Sequence, residues 1–228
     1  MNPPVQPSAD HTRTRILDVA ERLVQTRGFN GFSYADIASE VGITKASLHY
    51  HFATKAELGG VLIARYSEVF ALALQKISAS LADAERRLRA YVQLYSDVLS
   101  DERLCLCGMV AAEYATLPAR MQEAIRAFFE LNEAWVAEQL ELGVREGGRS
   151  SRVPAREAAR MLVGALEGEM LVARAYGDPA RFASAAGLLV AQLSGSDGNA
   201  RAGGARGAKR ALPRPARARP ARARSARS

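Results

Sequence analysis

The chain has 228 residues, enough to bury one good core or two small ones. At 48% hydrophobic and 24% charged it has the balance of a folded globular protein, and no apolar run approaches the ~18 residues that suggest a bilayer span. The net charge of +7 is unevenly spread. From Gly195 onward there are ten Lys and Arg and one acid, which leaves 21 basic against 23 acidic side chains before it, a body of about −2. Any attraction of that body to a polyanion has to come from local clustering.

In chain order, Met1 to Asp10 is polar and Pro-rich, without the apolar segment of a signal peptide. It is expected to be a disordered arm on a cytoplasmic protein. A first helix is predicted over His11 to Thr26, with Ile16, Val19, Ala20 and Leu23 on one face and Arg27-Gly28 as its stop. Ser33 is a side-chain cap for a short helix from Tyr34 to Glu40, where Ile37, Ala38 and Val41 share a face. Gly42 stands where a helix ending in the left-handed region needs a residue without Cβ, and Thr44 caps a second short helix, Lys45 to His51. Two short helices joined by a three- or four-residue turn containing Gly form a helix-turn-helix unit, whose second helix enters the DNA major groove N-terminus first.

The second helix has chemistry for that task. Thr44, Lys45, Ala46 and Ser47 are small or cationic, which lets the backbone approach base edges, while Leu48 and Phe52 face inward as anchors. Lys45 and Ser47 are the base-edge candidates. Ser33, Tyr34, His49, Tyr50, His51 and Lys55 carry groups suited to phosphate oxygens. Phe29 and Phe32 are assigned to the small core.

A long helix is predicted from Lys55 to Ala79 with a stripe of Leu58, Leu62, Tyr66, Val69, Ala73 and Ile77. Asp83 caps the next, carrying Leu88, Tyr91, Val92, Tyr95 and Val98. RLCLCGMVAAEYATLP is less regular and ends at Pro118; a long helix from Ala119 to Gly143 follows, then a loop at Gly147 to Ser151. Ala155 to Tyr176 is rich in small residues that permit close helix approach, and Asp178-Pro179 opens a last helix ending near Leu193. Gly195 to Ser228, made of Ala, Arg, Gly and Pro with one Leu, cannot bury enough apolar surface to order itself. It is either a basic tail adding salt-sensitive, nonspecific DNA affinity or a segment without a selected role.

The run GITKASLHYHFATKAEL, with FSYADIA before it and the helix upstream from His11 to Phe29, resembles the DNA-binding domain of the TetR family of bacterial repressors over about Thr12 to Leu62. The resemblance implies an all-α homodimer: a three-helix DNA-binding domain, here residues 11 to 54, and a larger helical domain for ligand and dimerisation, here 55 to 194. It implies a double-stranded DNA operator and a small-molecule effector as partners, with neither cofactor nor membrane. In that family the two final helices form a four-helix bundle with their copies in the partner subunit. Met161, Leu162, Ala165, Leu166, Leu188, Leu189 and Gln192 are therefore the candidate seam, with an intramolecular core as the alternative. The family's pocket lies among the central helices of the larger domain, where Tyr91, Tyr95, Met109, Glu113, Phe128, Trp135, Glu167 and Met170 are inward candidates.

Cys105 and Cys107 leave three readings open. A zinc site needs about four N or S ligands and the three histidines sit in the DNA head, so no metal site is expected. Buried structural thiols are the second reading. Thiol sensing is the third, for which Arg103 is a nearby cation and an accessible thiolate is required. CLCGMVAAEYATLP is similar to the start of the ligand domain in a subgroup that includes the N-ethylmaleimide reductase repressor and the acrylate-responsive repressors. In the former a reactive cysteine stands eight residues before a glutamate, as Cys105 does before Glu113, so the resemblance carries over to Cys105 alone. An enzyme is the rival class, but no Gly-rich phosphate loop, GxSxG elbow or metal triad is present in the sequence. A helical binding or scaffolding module with only nonspecific DNA affinity is the stronger alternative.

Overall fold

A computed structural model describes residues 9–147 and 153–194. The polar arm before residue 9, most of the Gly147 to Ser151 loop and the basic tail lie outside the described residues. In chain order the elements are α1 (Ala9–Arg27), α2 (Tyr34–Val41), α3 (Lys45–His51), α4 (Lys55–Ser80), α5 (Ala84–Ser100), α6 (Leu106–Ala111), a 3-10 turn (Tyr114–Thr116), α7 (Ala119–Arg145), α8 (Ala155–Tyr176) and α9 (Pro179–Leu193). No strand occurs among the described residues. The protein is all-α, with an N-terminal helix-turn-helix unit and a larger C-terminal helical domain.

The N-terminal unit is organised by its caps. Asp36, in the first turn of α2, accepts from both the backbone N–H and the hydroxyl of Ser33, at 2.7 and 2.6 Å. Ser33 is the N-cap of α2, as expected, and Asp36, which the sequence reading passed over, is the reciprocal member of the capping box. Gly42 closes α2 at φ +75°, and Thr44 Oγ1 accepts the Ser47 N–H at 3.1 Å to open α3. These caps fix the angle between α2 and α3, and Ile16, Leu23, Ile37, Leu48 and Phe52 fill the space beneath them with no more than 1% of their surface exposed. At ~2 to 3 kcal/mol per fully buried large apolar side chain, this is a core able to hold three helices in register.

α4 follows a different stripe from the one expected. Leu58, Leu62 and Tyr66 are buried, but burial then passes to Phe70 and Leu74, while Val69 is 60% exposed. The four-residue steps 58, 62, 66, 70 and 74 keep one ridge against the neighbouring helices, and the shift to Val69 and Ala73 would have turned α4 away from them.

The C-terminal domain packs α5, α7, α8 and α9 together, with α4 alongside α7. Phe70 stands edge-on to Tyr91, Tyr95 and Phe128 at centroid distances of 6.1, 6.0 and 5.3 Å. Two expected seam residues belong to this core: Leu162 and Leu166 are both fully buried within the subunit. They project from the face of α8 that meets α7 and α9. The opposite face exposes Met161 at 59% and Leu171 at 54%, with Gly164 and Gly168 open beside them, and α9 exposes Leu188 at 64% and Gln192. Ala165 and Leu189 lie half-buried at the edge of that face.

The two halves meet at the C-terminal end of α1. The Leu104 N–H donates to the Gln25 carbonyl at 3.1 Å, and the Arg174 guanidinium donates to the carbonyls of Gln25 and Thr26 at 3.3 and 2.7 Å. In the loop after α1, the Asn30 N–H donates to Glu113 Oε2 at 2.8 Å and its side-chain amide to Thr116 Oγ1 at 2.9 Å. Gly28 takes φ +84° there, and an added Cβ would come within 2.3 Å of Glu113 Oε1.

Candidate DNA interface and effector core

On α3, Leu48 is fully buried while Lys45, Ala46, His49 and Tyr50 on the other face are exposed, Tyr50 by 84%. Thr44 is exposed at the helix start and Ser47 is half-buried. His49 Nδ1 lies 3.1 Å from the Ala53 carbonyl, which leaves Nε2 as the ring nitrogen for an outside partner. His51 is half-buried and meets the Tyr50 ring edge-on at 5.4 Å.

Two of the expected phosphate contacts turn inward. The Tyr34 hydroxyl donates to the Phe52 carbonyl at 3.0 Å, and burial pushes its pKa up to about 12. The Lys55 ammonium donates to the Phe32 carbonyl and stands over the rings of Phe29 and Phe32, 4.9 and 4.1 Å from their centroids. Burial lowers its pKa against the opposing pull of Glu113 and Asp36. Both side chains tie the end of α3 and the start of α4 to the head, and their polar tips are already spent on carbonyls. Ser33 stays exposed, with its hydroxyl engaged by Asp36.

In the C-terminal domain the buried polar atoms form two groups. Tyr91 donates to Asn132 Oδ1 at 3.0 Å and shares a 3.0 Å contact with the Tyr95 hydroxyl. Asn132, fully buried in α7, in turn donates to the Phe128 carbonyl at 2.8 Å. The Tyr66 hydroxyl reaches Cys105 Sγ at 3.8 Å, and the Cys105 thiol is hydrogen-bonded to Glu167. Glu167 Oε1 is buried without a partner, and desolvation raises the pKa of this carboxyl to about 7, against the Cys105 contact that lowers it. Met170 is buried beside this cluster on α8.

This geometry opposes the sensing assignment of the cysteines. Both thiols are buried, and burial first, then the Glu167 carboxylate, pushes both of them well above the ordinary range. A reactive thiolate needs access and a neighbouring cation. Arg103 acts on Glu21, and the charge beside Cys105 is that of an acid. Two expected pocket residues also lie elsewhere: Glu113 binds the α1–α2 loop and Met109 is half-buried near Gly28. Trp135 stacks on Tyr91 at 5.5 Å and donates to Ser78 Oγ at 3.0 Å, beside an open groove of about 560 Å³ between α4 and α7.

Asn132 carried a readable signal, a polar residue on the stripe Ile125, Phe128, Val136. Arg174 carried none, since a cation in the last turn of a helix is common for electrostatic reasons alone.

Residues 16–59 match the family model described as bacterial regulatory proteins, tetR family, and residues 84–189 match the tetracyclin repressor-like C-terminal domain. A TetR-family transcriptional regulator from Agrobacterium tumefaciens superposes with a TM-score of 0.78 at 30% identity, covering 81% of this chain and 98% of that one. The chain belongs to the TetR family. Among TetR-family relatives, the transcriptional repressor KstR2 of Rhodococcus jostii is 27% identical over 169 residues, 68% of this chain and 79% of that protein. The reduced form of Escherichia coli NemR superposes with a TM-score of 0.69 at 21% identity over 78% of this chain and 94% of that one, a likeness of fold. The TetR-family assignment makes this chain a transcriptional regulator. No helix among the described residues is long and apolar enough to cross a membrane.

Proposed function

We propose that this TetR-family regulator is a repressor that binds a pseudopalindromic operator as a homodimer and leaves it when a small organic molecule occupies the C-terminal domain. The observation that carries the reading is the outer face of α3, where Tyr50 stands 84% exposed beside Lys45, Ala46 and His49 on a helix whose other face is sealed. Beside a lysine and a histidine on the second helix of a helix-turn-helix unit, an aromatic residue this open is available to a DNA backbone. Lys45 and Ser47 contact base edges; Tyr50, His49 and Thr44 contact phosphates. Tyr34 and Lys55 hold the helix pair in shape.

Dimerisation uses the open faces of α8 and α9, with Met161, Leu188 and Gln192 at the centre, Ala165 and Leu189 at the edge, and Gly164 and Gly168 allowing close approach. Two heads so joined would meet half-sites about one helical turn apart, ~34 to 36 Å. Release works through the joint at Gln25, Thr26 and Asn30. The segment from Leu104 to Thr116 holds that joint by hydrogen bonds and also contains Cys105, which contacts Tyr66 and Glu167. A ligand that separates Tyr66, Tyr91, Tyr95 and Glu167 therefore moves the segment that grips α1. The buried Glu167 favours an uncharged or cationic ligand over an anionic one. Because the thiols are closed, a reversible ligand rather than thiol modification is the signal in this reading.

Selection of genomic fragments by the full chain at two salt concentrations tests the proposal. Enrichment of one short pseudopalindrome that persists at the higher salt supports it. Retention of unrelated fragments at low salt alone would instead favour the scaffolding reading, with DNA affinity owed to the basic tail.

A further inference from the structure

The fold decides which nitrogen of the exposed His49 ring carries its proton. Thr54 caps α4 by accepting the Glu57 N–H at 3.1 Å, and Glu57 Oε2 accepts the Ala53 N–H at 3.0 Å. This reciprocal cap holds Ala53 with its carbonyl against the last turn of α3, where His49 Nδ1 lies 3.1 Å away. The His49 ring also lies on that of Tyr34, with centroids 4.8 Å apart. A carbonyl oxygen can only accept, so Nδ1 is the donor, and in a neutral imidazole the other nitrogen is then an acceptor with no proton to give. A phosphate oxygen also accepts only. A neutral ring could donate to it from Nε2 only by giving up the Ala53 carbonyl. An imidazolium, with a proton on each nitrogen, serves both acceptors at once.

We propose that His49 is a proton-dependent phosphate contact: on binding operator DNA, each head takes up one proton from solvent at His49 Nε2, and operator affinity falls as pH rises. The inference rests on the operator reading above and names the charge state in which one of its contacts works. Position favours a phosphate over a base. Base edges are met by the N-terminal residues of a recognition helix, and His49 lies a turn beyond them, beside Tyr34 at the start of α2 and Ala53 just before α4. The charged and titratable neighbours allow the uptake. From α2, Tyr34 stays neutral, because burial and then the Glu57 carboxylate oppose its ionisation. From α4, Glu57 at the Ala53 cap favours an imidazolium, while Lys55 turns its ammonium to the Phe32 carbonyl. From α1, Arg13 is engaged over the Phe52 ring at 4.9 Å. On α3 itself, Lys45 stands one turn before His49 and opposes the charge, and His51 meets Tyr50. A proton held more tightly in the complex than in the free protein favours the complex at low pH and is lost as pH rises. Imidazole is the side-chain group that ordinarily changes charge between pH 5 and 8.

Fluorescence anisotropy of the full chain on its selected operator, from pH 6 to pH 8 at fixed salt, tests the assignment. The expected result is an affinity at least about tenfold weaker at pH 8 than at pH 6, each pKa unit by which the complex tightens its hold on the proton being worth a factor of about ten. His49→Gln carries an uncharged donor at every pH. It should bind with a nearly flat profile while Glu167 and the remaining histidines stay in place, and its melting temperature should match the parent's because the side chain is exposed. Calorimetry at pH 7 in two buffers of different ionisation heat should show net proton uptake by the parent and little by the variant. Operator-selective binding with a flat profile in the parent, or the same pH dependence in His49→Gln, would overturn the proposal and leave the operator reading standing. A change in the preferred base at one operator position in His49→Gln would make Nε2 an acceptor from a base and overturn it too. No sequence-selective binding at either pH would overturn the operator reading and this proposal together.

Discussion

In the head, the side-chain bonds that cap the helices are short in sequence: Ser33 to Asp36 and Ser47 to Thr44 span three residues and Ala53 to Glu57 spans four, and the ties added to them, Tyr34 to Phe52 and Lys55 to Phe32, span 18 and 23. In the larger domain and at the joint they are long. Tyr91 to Asn132 spans 41 residues, Asn30 to Glu113 spans 83, and Arg174 to Thr26 spans 148. The head keeps its working side chains outside and uses local caps to present them. The other half turns its polar groups inward, where each depends on a partner that only the tertiary fold supplies. In the proposed reading, one half offers an outer face to DNA and the other a buried network that a ligand can disturb.

The largest way to break this contrast is to empty the head's core. Leu48→Ala removes a fully buried side chain beneath the exposed face of α3 and should cost about 2 to 5 kcal/mol, seen as an early melting step and loss of all DNA binding. An unchanged melting curve would show that the α3 surface does not depend on the core below it.

Next comes the buried acid. Burial raises the Glu167 pKa from 4.5 to about 7 in the folded state, so between these values the native protein holds a proton that the unfolded chain has released. Stability therefore falls as pH rises from about 4.5 to 7 and levels off above it. Glu167→Gln lacks this titration. It should match the parent near pH 5 and exceed it at pH 8 by up to about 3 kcal/mol, measured by urea unfolding at the two pH values. Equal differences at both would place the carboxyl in water.

A smaller effect is expected at the joint. Glu113→Ala removes the acceptor of the Asn30 N–H, an exposed bond worth about 1 kcal/mol or less. Global stability should barely move, while the effector concentration needed to release DNA shifts severalfold. An identical release curve would take Glu113 out of the coupling. The smallest effect is no effect: both cysteines should stay unmodified by Ellman's reagent until the protein unfolds. Rapid labelling of the native protein would restore the sensing role.

The contrast also accounts for what the sequence revealed. Ser33, Gly42, Thr44, Leu48 and Phe52 were legible because caps and helical spacing are properties of a few neighbouring residues. Lys55 and Tyr34 were misplaced for a related reason: a cation and a phenol near a DNA-facing helix suggest phosphates, and only the packing shows the rings of Phe29 and Phe32 beneath one and the Phe52 carbonyl beside the other. On α4, Val69 and Phe70 are adjacent apolar residues, and periodicity alone did not decide which one faces α5 and α7. On α8, Met161 and Leu162 posed the same choice, and the structure divides them between the open face and the core. Cys105 drew attention to Arg103, two residues away, whereas its effective neighbour is Glu167, 62 positions along the chain. Buried networks join residues whose separations carry no pattern.

The most direct test of the central claim is the affinity of Tyr50→Ala for the selected operator, measured beside its melting temperature. The account predicts a loss of at least tenfold on operator and unrelated DNA alike, with stability within about 0.5 kcal/mol of the parent, as befits a residue 84% exposed. Undiminished binding, or a loss that follows a fall in melting temperature, would contradict it.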